Sequence, residues 1–227
     1  MAIGQDAYAY HNIRYADGTW QGWAAMPGQD GGLVKATTIA AAGMPDGSAQ
    51  ILVFGGDGRM RLGIRDVDGA WSSWSVVSGV DAPDGSALSI AALPNGDSQI
   101  AAIGNDGNVW HTMRRVDGRW TGWGAPAGAS GEVMRASALA ITGLPDGSTQ
   151  VAAVGHDGYG YHCERFSDGG WSPFRRVGGI RGATAFAGEQ VGIAGLPDGS
   201  SQLLLTTTTR GSSYHWETAR TASARAR

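Results

Sequence analysis

The stretch Asn105-Asp106-Gly107-Asn108-Val109-Trp110-His111-Thr112-Met113-Arg114-Arg115-Val116-Asp117-Gly118-Arg119-Trp120-Thr121-Gly122-Trp123 decides the fold, because the chain writes it about five times. Further copies run from Asp6 to Trp23, from Asp57 to Trp74 and from Asp157 to Phe174, with a worn copy around Tyr214-His215-Trp216. Equivalent Trp residues (Trp20, Trp71, Trp120, Trp171) are spaced by 51, 49 and 51 residues. A second anchor keeps the same beat: Met44-Pro45-Asp46-Gly47, Leu93-Pro94-Asn95-Gly96, Leu144-Pro145-Asp146-Gly147 and Leu196-Pro197-Asp198-Gly199. A period near fifty with several Gly turns per unit has the size of a four-stranded propeller blade, not of a helical repeat.

Turn chemistry divides each unit into strands, since Asp-Gly pairs supply the left-handed residues that tight hairpins need. In the third unit, strand a is Ser89 to Leu93, b is Gln99 to Ile103, c is Val109 to Arg115 and d is Arg119 to Trp123. Strands a and b are small and apolar, as inner strands covered on both faces require. No window carries a capped helical period. The predicted fold is all-β: a propeller of about five four-stranded blades forming one domain over 1–227. Its repeats fall at about 2–28, 29–79, 80–129, 130–179 and 180–227. The first unit lacks strand a, and the last lacks the Trp residues of strand d, so both end blades are imperfect. The expectation is that these edges close on each other; the rival is pairing with a second copy, a homo-oligomer through the terminal blades.

Composition narrows the function. Gly makes up 38 of 227 residues, yet 42% of the chain is hydrophobic, so the glycine reflects turns and not disorder. A formal net charge of −3, with Lys35 the single lysine, argues against a nucleic-acid partner. The lone Cys163 permits no intrachain disulfide. Neither a signal peptide nor a membrane-inserting span is legible, which predicts a cytoplasmic protein or one secreted by a route not visible in this sequence.

The Gly-x-Asp-Gly turn, the aromatic-His strand and the Asp-Gly-x-Trp-x-x-Trp segment resemble the sugar-binding propeller lectins. These include the tachylectin type, the tectonin repeats and the bacterial propeller lectins for fucose and galactose derivatives. The resemblance runs from Ala2 to about Trp216. It implies non-catalytic glycan binding in pockets repeated between blades, with no cofactor or metal, for sugars of fucose, galactose or GlcNAc type. Leu62 in place of His, Phe174 in place of the second Trp, and the missing Trp pair of the fifth unit depart from the pattern.

The residues support a sugar site on their own chemistry. A pyranose offers a C–H face to an aromatic ring and a rim of hydroxyls to convergent donors and acceptors. The candidate carbohydrate-binding residues are Tyr10, His11, Trp23, Trp74, Trp110, His111, Trp123, Tyr161, His162, Tyr214 and His215. Within each blade they are expected to form one set, with the two rings of Trp-x-x-Trp on opposite strand faces. The competing role for the His series is a hydrogen bond that locks blades together. The recurring Arg14, Arg65, Arg114 and Arg165 are expected to brace turns by ion pairing, as Arg14 with Asp17 and Arg114 with Asp117, or to lie on a solvated outer strand. Two other functions fit a propeller. A glycosidase would need a unique carboxylate pair, and the acids outside the turns, Glu132, Glu164, Glu189 and Glu217, are scattered. A protein-interaction platform would show divergent blades, whereas these agree. The sequence therefore reads as a multivalent lectin and not an enzyme, with the interaction platform as the alternative.

Overall fold

The computed structural model describes residues 1–81, 87–126, 133–178, 189–206 and 215–219. Its strands form five antiparallel sheets in chain order, which we call blades 1 to 5. Blade 1 holds β1 (Ala2–Ile3), β2 (Ala9–His11) and β3 (Ala24–Ala25). Blade 2 holds β4 (Thr38–Gly43), β5 (Ala49–Phe54), β6 (Arg59–Arg65) and β7 (Ser75–Asp81). Blade 3 holds β8 (Leu88–Ala92), β9 (Ser98–Ile103) and β10 (Val109–Arg114). Blade 4 holds β11 (Ala136–Gly143), β12 (Thr149–Gly155), β13 (Gly160–Arg165) and β14 (Arg175–Arg176), and blade 5 holds β15 (Gln190–Gly195), β16 (Ser201–Thr206) and β17 (His215–Ala219). A single short 3-10 turn, Gln29–Gly31, is the only helical element among the described residues.

This is a β-propeller. The inner strands β4, β8, β11 and β15 lie side by side. The Met/Leu-Pro starts of the turns after them, at Met44, Leu93, Leu144 and Leu196, converge on one axial depression. As expected, blade 1 begins on a b strand; blade 5 shows a, b and c strands, and its strand-d position lies outside the described residues.

The core is not one central mass. Four apolar clusters each fill the seam between consecutive blades, because each inner strand is covered on both faces. Ala9, Met26, Ile51 and Val53 fill seam 1/2, and Leu52, Phe54, Met60, Leu62, Ile90 and Ile100 fill seam 2/3. Ala101, Val109, Leu139, Val151 and Cys163 fill seam 3/4, and Ala152, Val154, Leu203 and Leu205 fill seam 4/5. Alternation along β10 shows the rule: Val109 points into seam 3/4 while Trp110 packs in seam 2/3.

One sequence expectation fails in detail. Strand d does not run through Trp-x-x-Trp but starts just after it, at Ala24, Ser75 and Arg175. The Trp segment joins strand c only by isolated bridges, as at Arg114↔Trp120 and His111↔Gly124. The alternation of a regular strand therefore does not apply there, and Trp71 and Trp74 lie on the same side with rings stacked at 6.1 Å and 21°. Both pack toward the preceding blade.

Candidate functional site

Four described turns between strands b and c, Gly-x-Asp-Gly in blades 2 to 4 and Gly4-Gln5-Asp6-Ala7 in blade 1, build the same small device. Its Asp carboxylate first caps the turn, accepting the backbone N–H two residues on: Tyr8 to Asp6, Arg59 to Asp57, Asn108 to Asp106 and Tyr159 to Asp157. The same carboxylate then receives a side chain four residues on, at the second position of strand c. Tyr10 donates its hydroxyl to Asp6 at 2.7 Å, Tyr161 to Asp157 at 2.7 Å, and the Trp110 indole N–H reaches Asp106 at 3.2 Å. In blade 2 Arg61 takes that place, its guanidinium reaching both Asp57 oxygens at 2.9 and 2.6 Å. The first Gly of each motif makes room: a Cβ on Gly55 would stand 2.6 Å from Arg61 and 2.7 Å from Asp57. These partners hold the carboxyls of Asp6, Asp57, Asp106 and Asp157 below the usual range. Side-chain donors lead at Asp6, Asp57 and Asp157, and the Asn108 backbone N–H leads at Asp106.

Between blades 1 and 2 this device lines a cleft of about 500 Å³. Blade 2 contributes Asp57, Arg61, Gly55, Gly56 and Trp74, and the strand-d-to-a connection of blade 1 contributes Gln29, Leu33 and Lys35. Trp74 is fixed from both sides. Its indole N–H donates to the Pro27 carbonyl at 2.8 Å, its own carbonyl accepts from the Gln29 amide at 2.7 Å, and its ring lies against Gly63. In seam 3/4 the counterpart gathers Asp157, Tyr161 and Arg176, the guanidinium lying 3.8 Å from the centre of the Tyr159 ring and bonding Asp157 at 3.0 Å.

The candidate residues divide between two faces. Tyr10, Trp110 and Tyr161 carry the Asp-turn device, Trp123 packs in seam 2/3 beside Trp110, and Trp74 lines the cleft. Trp23 is 60% exposed on blade 1. The neighbouring His residues point the other way, because successive strand residues face opposite sides, so the expected set within one blade does not form. His11 meets Trp71 edge-on at 5.3 Å and His111 meets Trp171 at 4.9 Å, each His reaching the first Trp of the next blade. The nearest approach to the expected set is therefore assembled across a seam. His111 is 8% exposed and its Nε2 bonds Gln99 Oε1, while His162 Nε2 bonds Gln150 Oε1 at 3.1 Å. Burial lowers all three imidazoles, with nearby Arg65 helping at His11 and Arg165 at His111, which is pushed down to about 3. Tyr214 lies outside the described residues, and of His215 only the backbone is described, in β17.

Two groups escaped the sequence reading. The Asp of the b–c turn looked like turn chemistry alone, although its constant spacing of four to Tyr, Arg or Trp was legible. The buried Gln50, Gln99 and Gln150, each two residues after the Ser or Asp that follows Asp-Gly or Asn-Gly, anchor the seams. Gln50 accepts from Ser98 at 2.8 Å, and Gln150 from Ser201. The expected ion pairs of Arg14 with Asp17 and Arg114 with Asp117 do not form; Asp17 accepts from Thr19, and Asp117 pairs with Arg119. Those arginines lie over the turn glycines Gly18 and Gly118.

The opposite face carries a second repeated depression, between blades 2 and 3 (Asp46, Ile64, Arg114, Val116) and between blades 3 and 4 (Asn95, Met113, Arg165, Ser167). Neither contains an aromatic ring. Among the described residues, no three His, Cys, Asp or Glu side chains gather as a metal site.

No family model matches the chain, and no curated protein sequence does. Solved structures do. The BP39L lectin from Burkholderia pseudomallei superposes with a TM-score of 0.58 at 17% identity, over 87% of this chain and 58% of that one. The six-bladed Aleuria aurantia lectin gives 0.60 at 13%, over 94% and 71%. The chain has the fold of these propellers. The NanB sialidase from Streptococcus pneumoniae also matches, at 0.56 and 12% identity over 83% of this chain and 30% of that one, so enzymes share the architecture. The chain spans little more than half the length of BP39L.

Proposed function

We propose that this chain is a single propeller domain over 1–227 that binds carbohydrate without catalysis, through equivalent sites in the seams on its Gly-x-Asp-Gly face. The observation that carries the reading is the recurrence there of a carboxylate fixed to an aromatic or cationic partner, at Asp6, Asp57, Asp106 and Asp157. Sugar recognition asks for such a set: a rigid acceptor for hydroxyls, donors beside it and an apolar wall. Trp74, Trp110, Trp123 and Tyr161 supply the wall in successive seams. His11, His111 and His162 act in this reading as positioning residues, holding the blades whose edges form the clefts. The fucose complexes solved for the Aleuria aurantia lectin, at 15% identity, agree with a glycan ligand. A shallow site binds weakly alone, and several on one rigid frame gain by avidity on a surface bearing many sugars.

A glycan array probed with the labelled protein, and competed with free monosaccharides, tests this. The expected result is binding to a related set of glycans that one monosaccharide abolishes. A blank array from folded protein would overturn the lectin reading in favour of a protein-interaction platform.

A further inference from the structure

The cleft between blades 1 and 2 carries two cations, one from each blade. Arg61 stands where blades 1, 3 and 4 carry Tyr10, Trp110 and Tyr161. Facing it, from the blade 1 side, is Lys35, the only lysine of the chain. Arg61 is paired with Asp57, but Lys35 makes no ion pair among the described residues. Its ammonium lies 5.5 Å from the centre of the Tyr8 ring. Lys35 is exposed, yet its backbone is fixed, bridging to Tyr8 between two buried neighbours, Val34 and Ala36.

We infer that this cleft is a site for an acidic saccharide, in which Lys35 and the outer edge of Arg61 receive a carboxylate or sulfate while Trp74 and Leu33 bound the sugar ring. The inference rests on the lectin reading and names the ligand class of one of its sites. A neutral sugar would use Asp57 as its acceptor and gain little from an ammonium. An anionic substituent gives Lys35 the partner that the described structure does not give it, and the guanidinium fork matches oxyanions in plane. Seam 3/4 reaches a similar pattern with different residues. Arg176, from β14, pairs with Asp157 in the role of Arg61. Arg135 occupies the position of Lys35, since Asn108↔Arg135 repeats the bridge Tyr8↔Lys35. Arg135 also makes no ion pair among the described residues. The recurrence of a paired cation with an unpaired one argues against an incidental surface lysine.

The test titrates the full chain, by tryptophan fluorescence and calorimetry, with matched pairs: galactose and galacturonate, glucose and glucuronate, and galactose 6-sulfate. N-acetylneuraminate completes the set. At least one acidic member is expected to bind about fivefold or more tighter than its neutral parent, a difference expected of one partly screened charge pair at low salt. That preference should shrink at 0.5 M NaCl, disappear in Lys35→Met and survive in Lys35→Arg, with circular dichroism reporting unchanged folding. Equal action of sulfate and carboxylate would mean that charge alone is read, and preference for the carboxylate that the planar fork decides. Acidic and neutral sugars binding alike, or a preference unaffected by Lys35→Met, would overturn the inference and leave the lectin reading standing. If no saccharide bound, neutral or acidic, both would fall.

Discussion

Seams 2/3 and 3/4 solve the same packing problem with opposite chemistry. In seam 2/3 Leu62 joins Phe54, Met60, Ile90 and Ile100, and Gln50 is satisfied by Ser98 from the facing blade. In seam 3/4 His111 occupies the position of Leu62, engages Gln99 and meets Trp171 edge-on. Thr149, at the position of Ser98, has no side-chain hydrogen-bond partner among the described residues, whereas in seam 4/5 one Gln150 oxygen accepts from both His162 and Ser201. The lesson is that a buried position in a repeat fixes shape and facing and leaves polarity open, in seam 3/4 at the cost of the Thr149 hydroxyl and the Gln99 amide nitrogen left without partners among the described residues.

Breaking the apolar seam should have the largest effect. Phe54 is fully buried, so Phe54→Ala should cost about 3–5 kcal/mol, measured by urea unfolding, through lost transfer energy and a residual cavity. A loss below about 1 kcal/mol would mean that the seam collapses freely and is not close-packed. Next comes Leu62→His, which places the polar solution in the apolar seam. Gln50 Oε1 can accept from the imidazole as well as from Ser98, as Gln150 Oε1 does from His162 and Ser201, so the cost of about 1–3 kcal/mol comes from burying a polar ring among Phe54, Met60, Ile90 and Ile100.

The reverse exchange, His111→Leu, should cost less than about 1.5 kcal/mol at neutral pH, because Thr149 can donate to Gln99 as Ser98 does to Gln50. Its clearer signature is in acid. His111 is neutral when folded, its pKa pushed down to about 3, whereas an unfolded His titrates near 6.5. Between those values the unfolded chain binds a proton that the folded chain refuses. Stability present above about pH 6.5 is therefore lost as pH falls toward 3, with a slope approaching about 1.4 kcal/mol per pH unit for one such group. Denaturant midpoints in the upper part of that window, above the carboxylate range, should flatten in His111→Leu, leaving the contributions of His11 and His162; lower down, the depressed carboxyls of Asp6, Asp57, Asp106 and Asp157 add their own loss in either chain. An unchanged slope would show that this imidazole is not the acid-sensitive element. Smallest of all is Arg119→Ala, which removes the exposed pair with Asp117. It should move stability by less than about 0.5 kcal/mol and leave both seams untouched.

Much of this was legible beforehand for a physical reason: repetition averages out local ambiguity. Four Pro-Asp/Asn-Gly turns and four aromatic segments at one spacing fixed blade size and strands a to c, where a single copy would have been indecisive. Strand d was misplaced because the Trp segment bulges away from strand c, and two rings expected on opposite faces stack instead. The site was legible as residue types but not as a set. Neighbours such as Trp110 and His111 enter different seams, so no reading confined to one blade could join them to their partners.

The sequence by itself determined the repeat, the turns and hence the propeller, because period and turn residues act within a few positions of one another. Only the tertiary structure decided which side chains meet. It put His111 against Trp171 and Gln99 in one seam, and Lys35 across a cleft from Arg61 and Trp74 in another. Those juxtapositions depend on how one blade's face turns toward the next, which is set by packing across the seam and not by spacing along the chain.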